Sequence, residues 1–246
     1  MHRVLIPPQA VEGRTIRIDH PGALHHLLRV LRVGVGEAVE CLDGRGRRYR
    51  GRVASRAARA VVVDVAERTQ DPPPRVAVTL APALLKPDRF DWLVQKATEL
   101  GACAIHPLVT ARTVVRPAAE RAARMTERWR RIAAEAAAQC GGSYLPDIGP
   151  PRRFDRYLAG LPDSCRGLLP TLAVSAQPLR ELLEADRRDD AAVVALIGPE
   201  GDFTEEEVAL ARRHHARPVS LGPLTLRAET AALALLAMLQ YALEFR

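Results

Sequence analysis

Residues 196–239 read LIGPEGDFTEEEVALARRHHARPVSLGPLTLRAETAALALLAML, and this stretch sets the frame for the whole chain. It holds two short apolar strands, each running directly into a glycine-proline turn. Ala195-Leu196-Ile197 leads into Gly198-Pro199-Glu200-Gly201, and Val219-Ser220-Leu221 leads into Gly222-Pro223. A helical pattern follows each turn. Alternating strands and helices build an α/β sheet, and glycines at the carboxyl ends of its strands allow close approach of backbone to a ligand.

The same alternation extends back to residue 76. Residues 76–81 read as a strand, 88–100 as a helix closed by Gly101, 104–109 as a strand, and 118–140 as a long helix stopped by Gly141-Gly142. Strands are expected at 168–174 and 191–197, with a helix over 178–185 between them. Residues 204–215 form a helix opened by a capping box of Thr204 and Glu207. The last strand is 219–221, and the last helix is 228–245.

Residues 1–70 follow a different rule and read as mostly β. Strands are expected at 3–6, 15–18, 37–42, 47–55 and 60–65, with a hairpin turn at Asp43-Gly44-Arg45-Gly46. Leu24, Leu27, Leu28 and Leu31 recur at helical spacing, so 21–31 reads as a short helix. Between the halves, Arg68-Thr69-Gln70-Asp71-Pro72-Pro73-Pro74-Arg75 reads as a linker, because consecutive prolines form a stiff spacer without backbone donors. The expected organisation is a domain over 1–70, a linker over 71–75 and a second domain over 76–246.

Composition narrows the function. A chain of 246 residues, 48% hydrophobic and 26% charged, has the profile of a soluble globular protein. Its longest uncharged apolar run, residues 230–243, is too short for a membrane span and reads as a buried core helix. The first residues contain no extended apolar signal core, so a cytoplasmic protein is expected. Cys41, Cys103, Cys140 and Cys165 are widely spaced, and His25-His26 and His214-His215 are sequence neighbours that do not share a helix face. Neither set has metal-ligand spacing, and no metal is expected.

The net charge is +7, and the first 70 residues account for +6 of it through 13 arginines against 7 acids. Such asymmetry is a footprint of polyanion binding, with nucleic acid the leading candidate. Arg48, Arg50 and Arg52 alternate along one expected strand and project from one face. A solvated strand face would share that pattern, but three like charges on adjacent same-face positions repel, and a bound polyanion would relieve them. Aromatic residues make up only 4% of the chain, so phosphate contact is expected rather than base stacking.

Familiar catalytic signatures are missing: the chain has no GxxxxGK[ST], HExxH or GxSxG. What remains is the pair of Gly-Pro turns and Leu226-Arg227-Ala228-Glu229-Thr230 opening the last helix. These segments, LIGPEGDFTEEEV and SLGPLTLRAETAALALLA, resemble the carboxyl-terminal signature of bacterial 16S rRNA (uracil-1498-N3)-methyltransferases, the RsmE family of the SPOUT superfamily. Leu85-Lys86-Pro87-Asp88-Arg89, Gln95-Lys96-Ala97-Thr98-Glu99-Leu100-Gly101, Pro107-Leu108-Val109 and Glu135-Ala136-Ala137-Ala138-Gln139 resemble the family in the same order. His25-His26-Leu27-Leu28-Arg29-Val30-Leu31-Arg32 resembles its amino-terminal domain.

The resemblance implies a fold, a donor and a target. The fold is an α/β protein with a small β domain, an amino-terminal PUA-like β-barrel followed by a SPOUT trefoil-knot methyltransferase domain. It also implies S-adenosylmethionine (AdoMet) as methyl donor, 16S rRNA of the small ribosomal subunit as partner, and a homodimer. The implied cofactor-binding residues are Leu172, Ile197, Gly198, Pro199, Glu200, Gly201, Leu221, Gly222, Leu226, Arg227 and Thr230. Leu172, Ile197, Leu221 and Leu226 would sandwich the adenine ring. Arg227 and Glu229 are the implied catalytic pair, with Glu229 orienting Arg227 and Thr230 capping the helix. A structural ion pair is the alternative for Arg227 and Glu229. Arg29, Arg32, Arg48, Arg50, Arg52 and Arg112 are the RNA-binding candidates.

Four positions depart from the family pattern. Asp202 stands where a glycine is usual and is expected to begin a helix, Leu224 and Gly142 stand where arginines are usual, and Ala138 replaces a glutamate. Two other readings are carried forward: a SPOUT methyltransferase with another RNA target, and, on the strength of Leu224 and Gly142, a non-catalytic RNA-binding assembly factor that has kept the fold.

Overall fold

A computed structural model describes residues 1–162, 164–172, 176–185 and 192–244. The chain divides into two units, Met1–Pro73 with Ala134–Leu145, and Pro74–Ala133 with Pro146–Arg246.

The first unit is built on a six-stranded sheet. Its strands are β1 (His2–Leu5), β2 (Val11–Glu12), β3 (Thr15–Ile18), β4 (Ala38–Leu42), β5 (Arg47–Ala57) and β6 (Ala60–Gln70), in the order β1-β4-β5-β6-β3-β2. β1 pairs parallel with β4, and the other ladders are antiparallel. No ladder joins β1 to β2 among the described residues, so the expected barrel is an open sheet in its hydrogen bonding. Alternation sends Val4, Ile16, Val39, Val53, Val61 and Val63 into one core. Each such buried side chain contributes about 1.5–3 kcal/mol. The helix read from the leucine spacing is α1 (Pro21–His25), continued by a π-helical turn over His26–Val30. Leu24 and Leu27 are buried, while Leu28 and Leu31 pack at the margin.

The arginine-rich strand meets its counter-charge inside the protein. Glu40 on β4 lies directly across from Arg50 on β5 and is 1% exposed. It accepts from Arg50 Nε at 3.0 Å, Arg3 Nε at 3.0 Å and Arg48 Nη1 at 3.5 Å. Burial alone would push the Glu40 carboxyl up in pKa. The hydrogen bonds from Arg50 and Arg3 and the charge of Arg48 overcome that and hold it below the ordinary value. The repulsion among same-face arginines, which pointed to a polyanion, is thus relieved at Arg48 and Arg50 by a buried carboxylate. Arg52 differs: it is exposed and, among the described residues, donates only to the Gly36 carbonyl, at 2.8 Å.

The start of the proline-rich segment is anchored as well. β6 extends through Gln70, so Arg68-Thr69-Gln70 are sheet residues paired with Tyr49, Arg48 and Arg47. Asp71 accepts from Arg48 Nε at 2.6 Å and from Ser143 Oγ at 2.5 Å, and its backbone N–H donates to the Gly46 carbonyl. Asp71 thus finds partners, on β5 and at Ser143, that its neighbours in sequence do not reveal.

The second unit is α/β. Its elements in order are β7 (Ala77–Pro82), α2 (Pro87–Glu99), β8 (Ala104–Ile105), β9 (Leu108–Val109), α3 (Ala119–Cys140), β10 (Asp147–Ile148), β11 (Arg152–Arg153), α4 (Phe154–Leu158), β12 (Arg166–Pro170), β13 (Gln177–Pro178), α5 (Leu179–Ala185), β14 (Ala192–Ile197), α6 (Glu205–Arg213), β15 (Ala216–Ser220) and α7 (Ala228–Leu239). The last seven residues of α3 belong with the first unit. Seven strands form a parallel sheet in the order β10-β8-β7-β14-β12-β15-β13. The core holds Leu80, Leu168, Val193, Ala195 and Ile197 from strands, with Phe90, Leu93, Trp129, Leu235 and Leu236 from helices.

Several expected elements change their bounds. The strand expected over 104–109 is broken into β8 and β9 at His106-Pro107, because proline lacks the N–H that a ladder needs. β9 joins β11 in a separate two-stranded sheet. β12 ends at Pro170, and residues 173 and 174 of the expected strand lie outside the described residues, as do Ala191 and Phe245 at the ends of two other expected elements. The last helix changes at Gln240 into a π-helical turn over Gln240–Glu244. No helix among the described residues is long and apolar enough to cross a membrane, and no cluster of three metal-ligating side chains occurs among them.

Candidate active site

Three adjacent parallel strands, β14, β12 and β15, end side by side, and the turns leaving them surround a cleft of about 260 Å³. Clefts outside the carboxyl ends of parallel strands are the usual ligand sites of such sheets. Leu172, Ile197, Gly198, Pro199, Glu200, Leu221, Gly222, Leu226 and Arg227 line it. Gly222 has φ +133, a conformation that a side chain would resist. Leu172 and Leu224 are 66% and 76% exposed, an apolar surface that a bound ring would cover. A larger hollow of about 690 Å³ shares Ser220, Leu221 and Gly222 but is otherwise lined by residues of 178–184 and 238–242. The smaller cleft is the functional candidate, because it alone holds the Gly198-Pro199 turn and Arg227.

Arg227 is the N-cap residue of α7 and is exposed. Its side chain makes no hydrogen bond or ion pair among the described residues, so its charge is available to a ligand. Glu229 does not orient it. The Glu229 side chain is buried and lies 3.9 Å from Arg89 Nε of α2, while Arg89 Nη1 donates to Glu200 Oε1 at 3.1 Å. The second carboxylate oxygen of Glu229 is buried without a hydrogen-bond partner. Arg89 thus bridges the start of α7 and the Gly198–Gly201 turn. Pairing of residues so far apart in sequence depends on α2 packing against α7, which no local pattern announces.

Three other expected site residues stand elsewhere. Thr230 is exposed, lies outside the cleft lining and provides no side-chain cap to α7. Gly201 does not line the cleft; its carbonyl accepts a short hydrogen bond from Arg112 Nη1, which also reaches the Phe203 carbonyl at 3.4 Å. Arg112 therefore holds the turn. Asp202 does not begin a helix: Thr204 is the N-cap of α6, with the capping box in place, and Asp202 sits at φ +60 in the preceding turn. Asp202 nevertheless lines the cleft, as does Thr171, which was not singled out beforehand. Strand-end position was the available signal for Thr171.

The carboxylates that line the cleft, Glu200 and Asp202, are both engaged by protein donors. His106, which is half-buried, accepts from or donates to Tyr157 Oη at 3.0 Å and lies outside the lining. Burial lowers its pKa, with Asp147 opposing.

Residues 72–240 match the family model of an RNA methyltransferase domain, and residues 22–65 match that of an RNA methyltransferase PUA domain. The ribosomal RNA small subunit methyltransferase E of Synechocystis is 34% identical over 99% of this chain and 78% of its own length. The chain belongs to the ribosomal RNA small subunit methyltransferase E family. The Bacillus subtilis member of this family is 30% identical over 90% of the chain and 88% of its own. A crystal structure of the Neisseria gonorrhoeae member, bound to S-adenosyl methionine, superposes with a TM-score of 0.87 at 29% identity, covering 98% of this chain and 97% of that one. The protein is accordingly an RNA methyltransferase with an amino-terminal PUA domain.

Proposed function

We propose that the protein transfers a methyl group from AdoMet to N3 of one uridine, position 1498, in the 16S rRNA of the small ribosomal subunit. The observation that carries this reading is Arg227: a guanidinium without a protein partner among the described residues, lining a cleft built from three strand ends. The cleft fits the donor. The turns at Gly198 and Gly222 offer backbone polar groups to an adenine edge, Leu172, Leu221 and Leu226 offer apolar faces, and the donor's carboxylate needs a cation. Bound there, AdoMet would supply an electrophilic methyl group on a positively charged sulfur.

Uracil N3 carries a weakly acidic proton, and the anion left by its departure must be stabilised. Arg227 is suited to that, since its planar fork can donate two hydrogen bonds to a carbonyl flanking N3. Glu200 and Asp202 are held by Arg89 and by backbone and hydroxyl donors, and no histidine lines the cleft. Stabilisation of the anion is therefore the contribution assigned to Arg227, with the proton passing to solvent. Glu229 and Arg89 act at one remove, fixing the first turn of α7 and so the backbone from which Arg227 projects.

The trefoil knot is part of this proposal. β14 lies between β7 and β12, so the chain returns into a gap between strands it has already laid down, as a knotted path requires. A homodimer is also proposed: Met238 and Tyr241, 41% and 79% exposed beside the larger hollow, offer an apolar face to a second copy. Arg29, Arg32 and Arg52, all exposed, are the RNA contacts retained in the amino-terminal unit. Arg48, Arg50 and Arg112 are reassigned to holding the protein together.

Mass spectrometry of 16S rRNA from a strain lacking this protein tests the target. Loss of one methyl group at uridine 1498, restored by the intact gene and not by the Arg227→Ala variant, is expected. An unchanged rRNA would contradict the proposal.

A further inference from the structure

The geometry points to Asp202 as a positioning residue for the methyl donor: its carboxylate ties the end of β12 to the turn after β14 and sets the spacing of two walls of the cleft. The inference rests on the reading of the cleft as the donor site. The β12–β14 ladder ends at Leu168 opposite Ala195, two residues before Pro170 and Ile197 reach the cleft. Beyond it, Asp202 joins the two segments. Thr171 Oγ1 donates to Asp202 Oδ2 at 2.8 Å, and the Leu172 backbone N–H donates to the same oxygen at 3.0 Å. The other oxygen, Oδ1, accepts from the Phe203 N–H at 2.8 Å. Three donors on one ionised carboxylate form a stiff link, since hydrogen bonds to a charged acceptor are shorter and stronger than neutral ones.

The backbone shows what this link requires. Asp202 sits at φ +60, in the left-handed region where a non-glycine residue is strained. A glycine would adopt that turn freely but could not reach Thr171 or Leu172. Aspartate is among the few residues that tolerate the conformation, and here the side chain it brings spans to the neighbouring strand end. Packing around it is close: a Cβ on Gly198 would lie 3.1 Å from Asp202 Oδ1. Leu172, whose N–H is fixed by the link, presents its exposed side chain to the cleft. Asp202 therefore presets the wall against which the donor packs, reducing the ordering that binding must otherwise bring about.

Asp202→Gly and Asp202→Asn in the full chain test this, with AdoMet affinity from calorimetry and steady-state methyl transfer to 16S rRNA. Glycine suits the turn, so Asp202→Gly is expected to keep its melting temperature within a few degrees. It should raise both Kd and KM for AdoMet about tenfold while lowering kcat far less. Asparagine tolerates the left-handed turn and keeps one acceptor oxygen, so Asp202→Asn should recover part of the affinity. AdoMet affinity within twofold of the parent in Asp202→Gly would overturn the inference alone, as would a fall in kcat at unchanged KM. Failure of the parent chain itself to bind AdoMet would overturn the reading of the cleft and this inference with it.

Discussion

Arg227 and Glu40 show two fates for a charged side chain in this protein. Arg227 is left unpaired among the described residues beside a cleft, and its worth lies in a charge that develops only during reaction. Arg227→Ala is expected to lower kcat about 100-fold while leaving the fold intact, which melting curves and single-turnover methylation would show together. Glu40 is spent on the fold. With its pKa depressed in the native state, its stabilising contribution is fully present above the ordinary value of 4.5 and is lost as pH falls through the lower, folded value. Glu40→Gln should therefore cost about 2 kcal/mol at neutral pH, a figure discounted because Arg3 and Arg50 are half-exposed. It should also flatten the loss of stability below about pH 4.5 in urea titrations. The alternation of Arg48, Arg50 and Arg52 was legible in the sequence, but their destinations were not. Glu40 faces Arg50 only through the β4–β5 register.

Among the elements, helix α6 illustrates how much a local pattern can carry. Thr204 and Glu207 were readable as a capping box, and the structure has both bonds: Glu207 N–H to Thr204 Oγ1 at 3.2 Å and Thr204 N–H to Glu207 Oε2 at 3.0 Å. Thr204→Ala should destabilise the protein by about 1 kcal/mol. Glu207→Ala should cost more than Thr204→Ala, because Glu207 Oε1 also accepts from the Ala111 N–H at 2.7 Å. Chemical denaturation of both variants would rank them. The pairing of Trp129 with Phe90, ring centroids 4.4 Å apart, joins α3 to α2 in the core, and Trp129→Ala should cost about 3–5 kcal/mol. Long amphipathic helices and apolar strands were legible because burial imposes a period on sequence. Two-residue strands such as β10 and β11 were not, because so short a segment has no period to read. At Asp202 a single residue in a left-handed turn mimicked a helix start, since an acid suits both places.

For the whole molecule, the charge is lopsided in the sequence itself: +6 of the net +7 lies in residues 1–70. With Arg48 and Arg50 committed internally, the RNA footprint contracts to exposed arginines. Replacing Arg29, Arg32 and Arg52 together by alanine should weaken RNA binding and reduce the slope of log K against log salt by about 0.7–0.9 for each phosphate no longer neutralised. The same change at Arg48 and Arg50 should chiefly lower stability. Filter binding across a salt series separates the two. The order of the seven-stranded sheet, with β14 inserted between β7 and β12, was not legible, because strand order depends on which gaps remain open as the chain returns. The central claim is that the cleft joins AdoMet to a uracil. Incubating the purified protein with methyl-labelled AdoMet and 16S rRNA, then digesting to nucleosides for mass spectrometry, tests it most directly. The account predicts label in 3-methyluridine alone, from position 1498; label on a ribose or another base, or no label at all, would contradict it.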